Sequence, residues 1–225
     1  IAGIKVDFMD RDDQWMVGWY SKLLGAAARH RLMVDLHGAY PPRGLTRTYP
    51  NFVTQEGVMG AEYNKWSKRI TATHNVMLAY TRGLLGAMDY TPGGFRNVAP
   101  GDFRVRNDLP FVQTTRAHGL GMYVVYTSAL GSLADSPDTY GESPAGLDFI
   151  RAVPTSWDET RYLAGEIGES IAVARRKGRT WYVGAMNTET ARTLTIALGF
   201  LGKGRFEATL WLDGDKPDAV VKAER

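Results

Sequence analysis

Two patterns of apolar and polar positions divide this chain, and they meet between residues 160 and 170. In the first, short aliphatic runs alternate with stretches of helical period. Ile4-Lys5-Val6-Asp7-Phe8 is a β-branched strand that delivers a carboxylate near its end and passes at once into Met9-Asp10-Arg11-Asp12-Asp13-Gln14. Asp10 is placed to cap a helix running to about His30, with Asp12 and Asp13 in its first turn, where acids favour the helix dipole. Met16, Tyr20, Leu23, Leu24 and Ala27 recur at helical spacing and give that helix one apolar face. A second strand, Leu32–Leu36, ends at His37-Gly38. A long loop is expected from Ala39 to about Gly60, rich in proline, glycine and arginine, and loops of that length inside a domain are usually functional or disordered. The apolar run Leu84–Met88 then leads into Asp89-Tyr90 and the turn Thr91-Pro92-Gly93-Gly94. Helices are expected from about Thr114 to Leu133 and near Ala145–Arg151. Strands with helices between them imply a parallel sheet and an α/β class.

From Trp157 the helical period is lost. Ser170–Ala174, Thr180–Ala185, Thr193–Ala197 and Arg205–Leu212 are short β-rich runs separated by turn residues, the signature of a small antiparallel sandwich. Two domains are therefore expected, over residues 1–165 and 166–225.

Composition narrows the chemistry. The net charge of +3 is spread along the chain, and its densest run, Arg175-Arg176-Lys177-Gly178-Arg179, falls where a hairpin turn is expected, so nucleic acid is not indicated as a partner. No apolar stretch is long enough to span a bilayer. With no cysteine there are no disulfides, thiolate metal sites or cysteine nucleophile. HExxH, GxxxxGK[ST], a strand-linked GxGxxG and GxSxG are all missing, which weakens metalloprotease, nucleotide and serine-hydrolase readings. Ile1-Ala2-Gly3 leads straight into a strand with no signal peptide, so the chain reads as the carboxyl-terminal part of something longer.

The polar residues at or beside strand ends are Asp7, Asp35, His37, Glu62 and Asp89, and in a barrel such residues converge on one face. Asp7 and Glu62 taken singly are as readily caps or ion-pair partners as catalysts. Asp35 and His37 are two apart on a strand and share a face. That suits a metal pair or a substrate clamp, and equally a histidine hydrogen-bonded inside the fold. Asp89 either lines a pocket or satisfies the amides of the turn after it. Tyr40, Trp66, Tyr90 and Phe95 are candidates for stacking on sugar rings or for the core.

Taken together, Lys5 to Gln14, Asp35-Leu36-His37-Gly38-Ala39, Arg47-Thr48-Tyr49-Pro50-Asn51, Glu56 to Glu62, Met88 to Phe95 and Trp157-Asp158-Glu159-Thr160 resemble glycoside hydrolase family 97. The resemblance implies the second half of a (β/α)8 TIM barrel followed by a terminal antiparallel β-sandwich, with an amino-terminal domain and the early barrel strands missing. It implies a retaining exo-acting α-glycosidase, an α-galactosidase more than an α-glucosidase, assisted by Ca²⁺ and acting on an α-linked oligosaccharide or glycoside. A non-catalytic carbohydrate-binding or structural fragment is a second reading, and a metal-dependent barrel hydrolase with Asp35 and His37 as ligands is a third, weakened by the absence of a His-x-His pair. Asp7 matches the retaining nucleophile, because the base that inverting members carry after the histidine is here Gly38. Glu62 matches the general acid/base. Glu56 and Glu62 match calcium ligands, His37 matches a sugar-contacting histidine, and Asp35, Asp89 and Tyr90 are grouped with it as substrate contacts. A periplasmic or secreted bacterial location is implied by the resemblance alone. The isolated chain is expected to be inactive.

Overall fold

The computed structural model describes all 225 residues, Ile1–Arg225. Strand β1 (Gly3–Val6), helix α1 (Gln14–Arg29), strand β2 (Met33–Leu36) and strand β3 (Phe52–Gln55) open the chain, and the three strands form a parallel sheet in the order β1-β2-β3. The apolar face read from the sequence is the one α1 buries. Met16, Tyr20, Leu24 and Ala27 pack with Val34, Leu36, Tyr40 and Phe52. Beyond β3 the arc continues through single backbone bonds: Asp89 N donates to Gln55 O at 3.1 Å and Met88 N to Thr127 O at 2.8 Å.

The local expectations fail where tertiary hydrogen bonds claim the chain. β1 stops at Val6, and Phe8 and Asp10 take positive φ so that Asp10 N can reach Gly38 O at 2.7 Å. The cap of α1 is therefore Asp13, whose carboxylate accepts from Met16 N at 3.0 Å, and not Asp10. The expected 39–60 loop contains β3. Helix α2 (Ala72–Tyr80) was not expected, and Thr71 caps it by accepting from His74 N at 3.1 Å. Helix α3 spans only Arg116–Val125. The residues after it turn extended because Thr127 and Ser132 are needed as partners of Met88 and Asp89, and such contacts override helical spacing.

Short helices α4 (Pro137–Glu142) and α5 (Leu147–Ala152) lead to β4 (Glu159–Glu166), β5 (Ser170–Lys177) and β6 (Thr180–Asn187), an antiparallel sheet. The expected division at residue 165 falls within β4, which pairs with β5 from Glu159 to Glu166. The basic run does mark a hairpin, at Gly178-Arg179, yet Arg175 is buried and donates to Val125 O and Thr127 Oγ1. No strand forms at Thr193–Ala197. The last two strands, β7 (Thr209–Asp213) and β8 (Val220–Glu224), make a separate ribbon.

Both sheets rest on the helices. Ile171, Val173 and Met186 share one core with Val76 of α2 and Met122 and Val125 of α3, while Trp211 of the ribbon packs beside Leu120, Val124 and Phe149. No helix is long and apolar enough to cross a membrane.

Candidate active site

The carboxyl ends of β1, β2 and β3 and the segment at Asp89 gather most of the singled-out polar residues. The deepest are Asp35, His37 and Asp89, all at most 4% exposed, with their ligand atoms within 4.8 Å of one another. His37 Nε2 lies 2.9 Å from Asp89 Oδ2 and 3.3 Å from Asp35 Oδ2. Burial pushes the His37 ring down, but hydrogen bonds and charge from Asp35 and Asp89 outweigh it and raise it to about 10. With both acids beside it the ring favours the imidazolium at neutral pH, and a cation bound by the three side chains would have to displace that proton.

The two acids are not equivalent. Burial raises both, but Asp89 ends lowered because His37, Ser132 N, Ser132 Oγ and Thr91 N all donate to it. Asp35 stays raised, chiefly by burial, and neither of its oxygens has a hydrogen-bond partner apart from the longer His37 contact. Ser132 was not expected from the sequence. It sits at the end of an apparent helix, and nothing local signals its contact with Asp89.

Above this floor stands Glu56, directly after β3. Its Oε2 accepts from Gly38 N at 2.9 Å and its Oε1 is 3.8 Å from His37 Nδ1. Burial raises its carboxyl, and the charges of Glu62 and Asp7 add to that against the Gly38 amide and His37. Asp7 and Glu62 are thus both within electrostatic reach of Glu56. Asp7 is one-third exposed, accepts from Phe8 N at 2.7 Å, and pairs with Lys5 Nζ at 3.7 Å. Lys5 escaped the sequence reading although it lies only two residues before Asp7. Glu62 lies on a 3₁₀ turn (Ala61–Lys65), exposed and paired with Lys65 Nζ at 3.0 Å.

Tyr90 does not join them, and the expectation of a substrate contact is corrected. Its hydroxyl donates to Asn75 Oδ1 at 2.7 Å and its ring lies in the core beside Tyr126. Successive residues of an extended segment point to opposite faces, so Asp89 toward the site sends Tyr90 inward. Tyr40 and Phe95 are also buried, whereas Trp66 is 55% exposed and edge-on to Tyr63.

Glu56 and Glu62 present hard carboxylate oxygens, the donor type that Ca²⁺ takes. Two acids supply roughly two to four of the six to eight oxygens such an ion needs. The donor chemistry therefore fits, with the remainder left to water, substrate or other chain.

Two family models match the sequence: one described as glycoside hydrolase 97, over residues 1–58, and one as glycosyl-hydrolase 97 C-terminal, oligomerisation, over residues 156–225. A retaining alpha-galactosidase of Bacteroides thetaiotaomicron is 42% identical over 216 residues, covering 95% of this chain and 33% of that protein. A probable retaining alpha-galactosidase of Streptomyces bingchenggensis is 38% identical over 226 residues, again 33% of its length. The chain thus spans about a third of the length of these relatives. Among solved structures, a family 97 enzyme of Pseudoalteromonas sp. strain K8 in complex with acarbose superposes with a TM-score of 0.83 at 36% identity, covering 95% of this chain and 34% of that one. A β-arabinopyranosidase superposes with a TM-score of 0.82 at 30% identity, covering 100% of this chain and 37% of that one. With both ends of the sequence matched by models of one family and its backbone superposing on solved members, the chain belongs to glycoside hydrolase family 97.

Proposed function

We propose that this chain supplies the carboxyl-terminal half of a (β/α)8 barrel and the terminal β domain of a retaining exo-α-galactosidase. Asp7 is its nucleophile and Glu62 its general acid/base. The parallel arc of β1, β2 and β3, continued through Met88–Asp89 and Thr127, supports the half-barrel reading. The rest of the barrel and an amino-terminal domain would come from further chain of the same polypeptide, and the 225 residues alone would not turn over substrate.

The observation that carries the retaining assignment is the fit of Asp7 against Gly38. Gly38 has φ +54°, and a Cβ there would stand 2.8 Å from Phe8 N, 3.0 Å from Asp10 Oδ1 and 3.1 Å from Asp7 Oδ1. Glycine clears the space in which the Asp7 carboxylate stands, at the position where the inverting branch carries its base. In this reading the two carboxyl groups act by double displacement. Asp7 attacks the anomeric carbon while Glu62 protonates the departing oxygen, and Glu62 next takes a proton from the water that releases the sugar. His37 and Asp35 form the floor of the site, with Asp35 Oδ2 3.3 Å from His37 Nε2. Glu56 and Glu62 would hold Ca²⁺, which when bound supplies a hard Lewis acid beside the sugar.

The names of the two relatives favour a galactoside. The acarbose complex keeps an α-glucoside as the second reading. The proposed compartment is the periplasm or exterior of a bacterium.

In the full-length polypeptide, Asp7→Gly should lower turnover of an aryl α-galactoside by more than about 10³-fold. Azide should restore it with formation of the β-galactosyl azide. An inverted product from the wild-type protein, read by NMR, would exclude Asp7 as nucleophile. Glu62→Ala should slow poor leaving groups far more than activated aryl glycosides, by about 10²-fold or more. Equal loss on both, with calcium retained, would remove the acid role.

A further inference from the structure

Arg82 belongs to none of the sets above. Its guanidinium is buried and faces no carboxylate. Its donors go to backbone carbonyls instead. Nε reaches Glu56 O at 3.2 Å and Gly57 O at 3.0 Å, Nη1 reaches Gly86 O at 3.1 Å, and Nη2 reaches Gln55 O, Glu56 O and Ala87 O, each at 2.9 Å. These carbonyls come from two segments. One is the turn at 55–57 that carries Glu56, and the other runs within two residues into Asp89.

The opposite side of the turn is closed as well. Gly57 has φ +47°, and a Cβ there would stand 2.7 Å from Tyr40 O and 2.8 Å from Pro41 Cα, while the Gln55 side-chain amide donates to Tyr40 O. Glu56 N donates to Leu36 O at 2.8 Å. With its main chain held on three sides, Glu56 extends its carboxylate toward Gly38 N and His37 Nδ1.

We propose that Arg82 is a positioning residue: its guanidinium forks the Glu56 turn to the segment bearing Asp89 and so sets where the Glu56 carboxylate stands over His37 and Gly38. The inference rests on the glycosidase reading above. A planar fork reaches all five carbonyls of the two segments, whereas a lysine ammonium has only three donors about a single point and cannot reach them all. Burying a cation without a counter-charge is costly, and here the fork is compensated by hydrogen bonds to backbone carbonyls, of which Gln55 O also accepts from Asp89 N.

The test uses the full-length polypeptide and two readouts. Arg82→Lys should leave a folded protein in which deuterium uptake rises in peptides spanning 36–41, 53–60 and 84–90 and not elsewhere. Its kcat on an aryl α-galactoside should fall by about 10²-fold with KM within about threefold, the pattern of a misplaced group rather than of lost binding. A merely structural role would lower the melting temperature and leave kcat of the folded protein unchanged, and that result overturns the proposal. If Arg82→Lys does not fold, Gly57→Ala disturbs the same turn from its other side: lost kcat with normal KM supports the proposal, and wild-type kcat overturns it. Wild-type protein that turns over no aryl α-glycoside would refute the glycosidase reading separately. The exchange arm then decides alone, with unchanged uptake at 36–41, 53–60 and 84–90 overturning the role of Arg82.

Discussion

Two buried histidines, one at the carboxyl edge of the parallel arc and one in the core beneath the terminal sheet, take opposite charge states. His37 is 4% exposed and is raised to about 10, because Asp35 and Asp89 outweigh the cost of its burial. His118 on α3 is 9% exposed and is pushed down to about 4, because burial dominates and the charges of Asp213 and Glu189 only partly offset it. The neighbours explain the difference. Asn75 accepts from the Tyr90 hydroxyl through Oδ1, which turns its NH₂ toward His118 Nε2 at 3.3 Å and makes that ring an acceptor. An acceptor nitrogen carries no proton, so the core histidine is neutral. Burial alone therefore does not decide whether a histidine is charged. The first atoms it meets do, and of these two histidines the one at the edge of the arc keeps its charge.

The largest effect should come from breaking the edge cluster. Asp89→Ala removes the one acid that His37 Nε2 contacts at 2.9 Å, and it strands Ser132 N and Oγ. Removing one partner of a buried pair costs roughly 3–5 kcal/mol. The full-length polypeptide should lose that stability in a denaturation measurement at neutral pH. Ser132→Ala should lose much less, since it leaves the charge pair intact. Equal losses from the two would show that Asp89 acts as a turn cap and not as the counter-charge of His37.

The contrast also has a pH signature, and the two histidines give opposite signs. His37 is raised in the folded protein, so its contribution is complete below its unfolded value near 6.5 and is lost as pH climbs toward about 10. His118 is depressed, so its contribution is complete above 6.5 and is lost as pH falls toward about 4, where the unfolded chain binds the extra proton. Over that acid window the loss from His118 is about 3 kcal/mol, at 1.36 kcal/mol for each unit of displacement. His118→Gln should flatten the acid limb between pH 6.5 and 4 while leaving the alkaline limb in place. An acid limb unchanged by His118→Gln would mean that the ring is already charged in the core.

What the sequence made legible follows the same divide. The apolar face of α1, the strands that end near Asp7 and His37, and the hairpin at Gly178-Arg179 could be read because each is a local pattern of spacing or turn chemistry. The meeting of His37 with Asp89 spans 52 positions, and that of Asp89 with Ser132 spans 43; no periodicity records either. Arg82 was invisible because its partners are carbonyls, which every residue has. Tyr90 was misplaced because strand alternation, once a strand is assumed through Asp89, gives its side chain the face opposite to the site. The missing helix at 126–133 has the same origin, since residues with helical spacing are drawn off to bond Met88 and Asp89.

The smallest effect tests whether the core histidine and its helix act independently. Thr115 caps α3 by accepting from His118 N at 3.2 Å, so the backbone of the titrating residue is also the donor to the cap. Replacing a threonine cap by alanine costs about 1 kcal/mol. That cost arises from a backbone amide and carries no proton, so Thr115→Ala should lower stability by the same amount at pH 5 and pH 8. If the loss instead grows toward acid pH, fraying of the first turn has let water reach His118. The low value of its ring would then depend on the cap as well as on the apolar residues around it, and Thr115→Ala combined with His118→Gln should be less destabilising than the sum of the two.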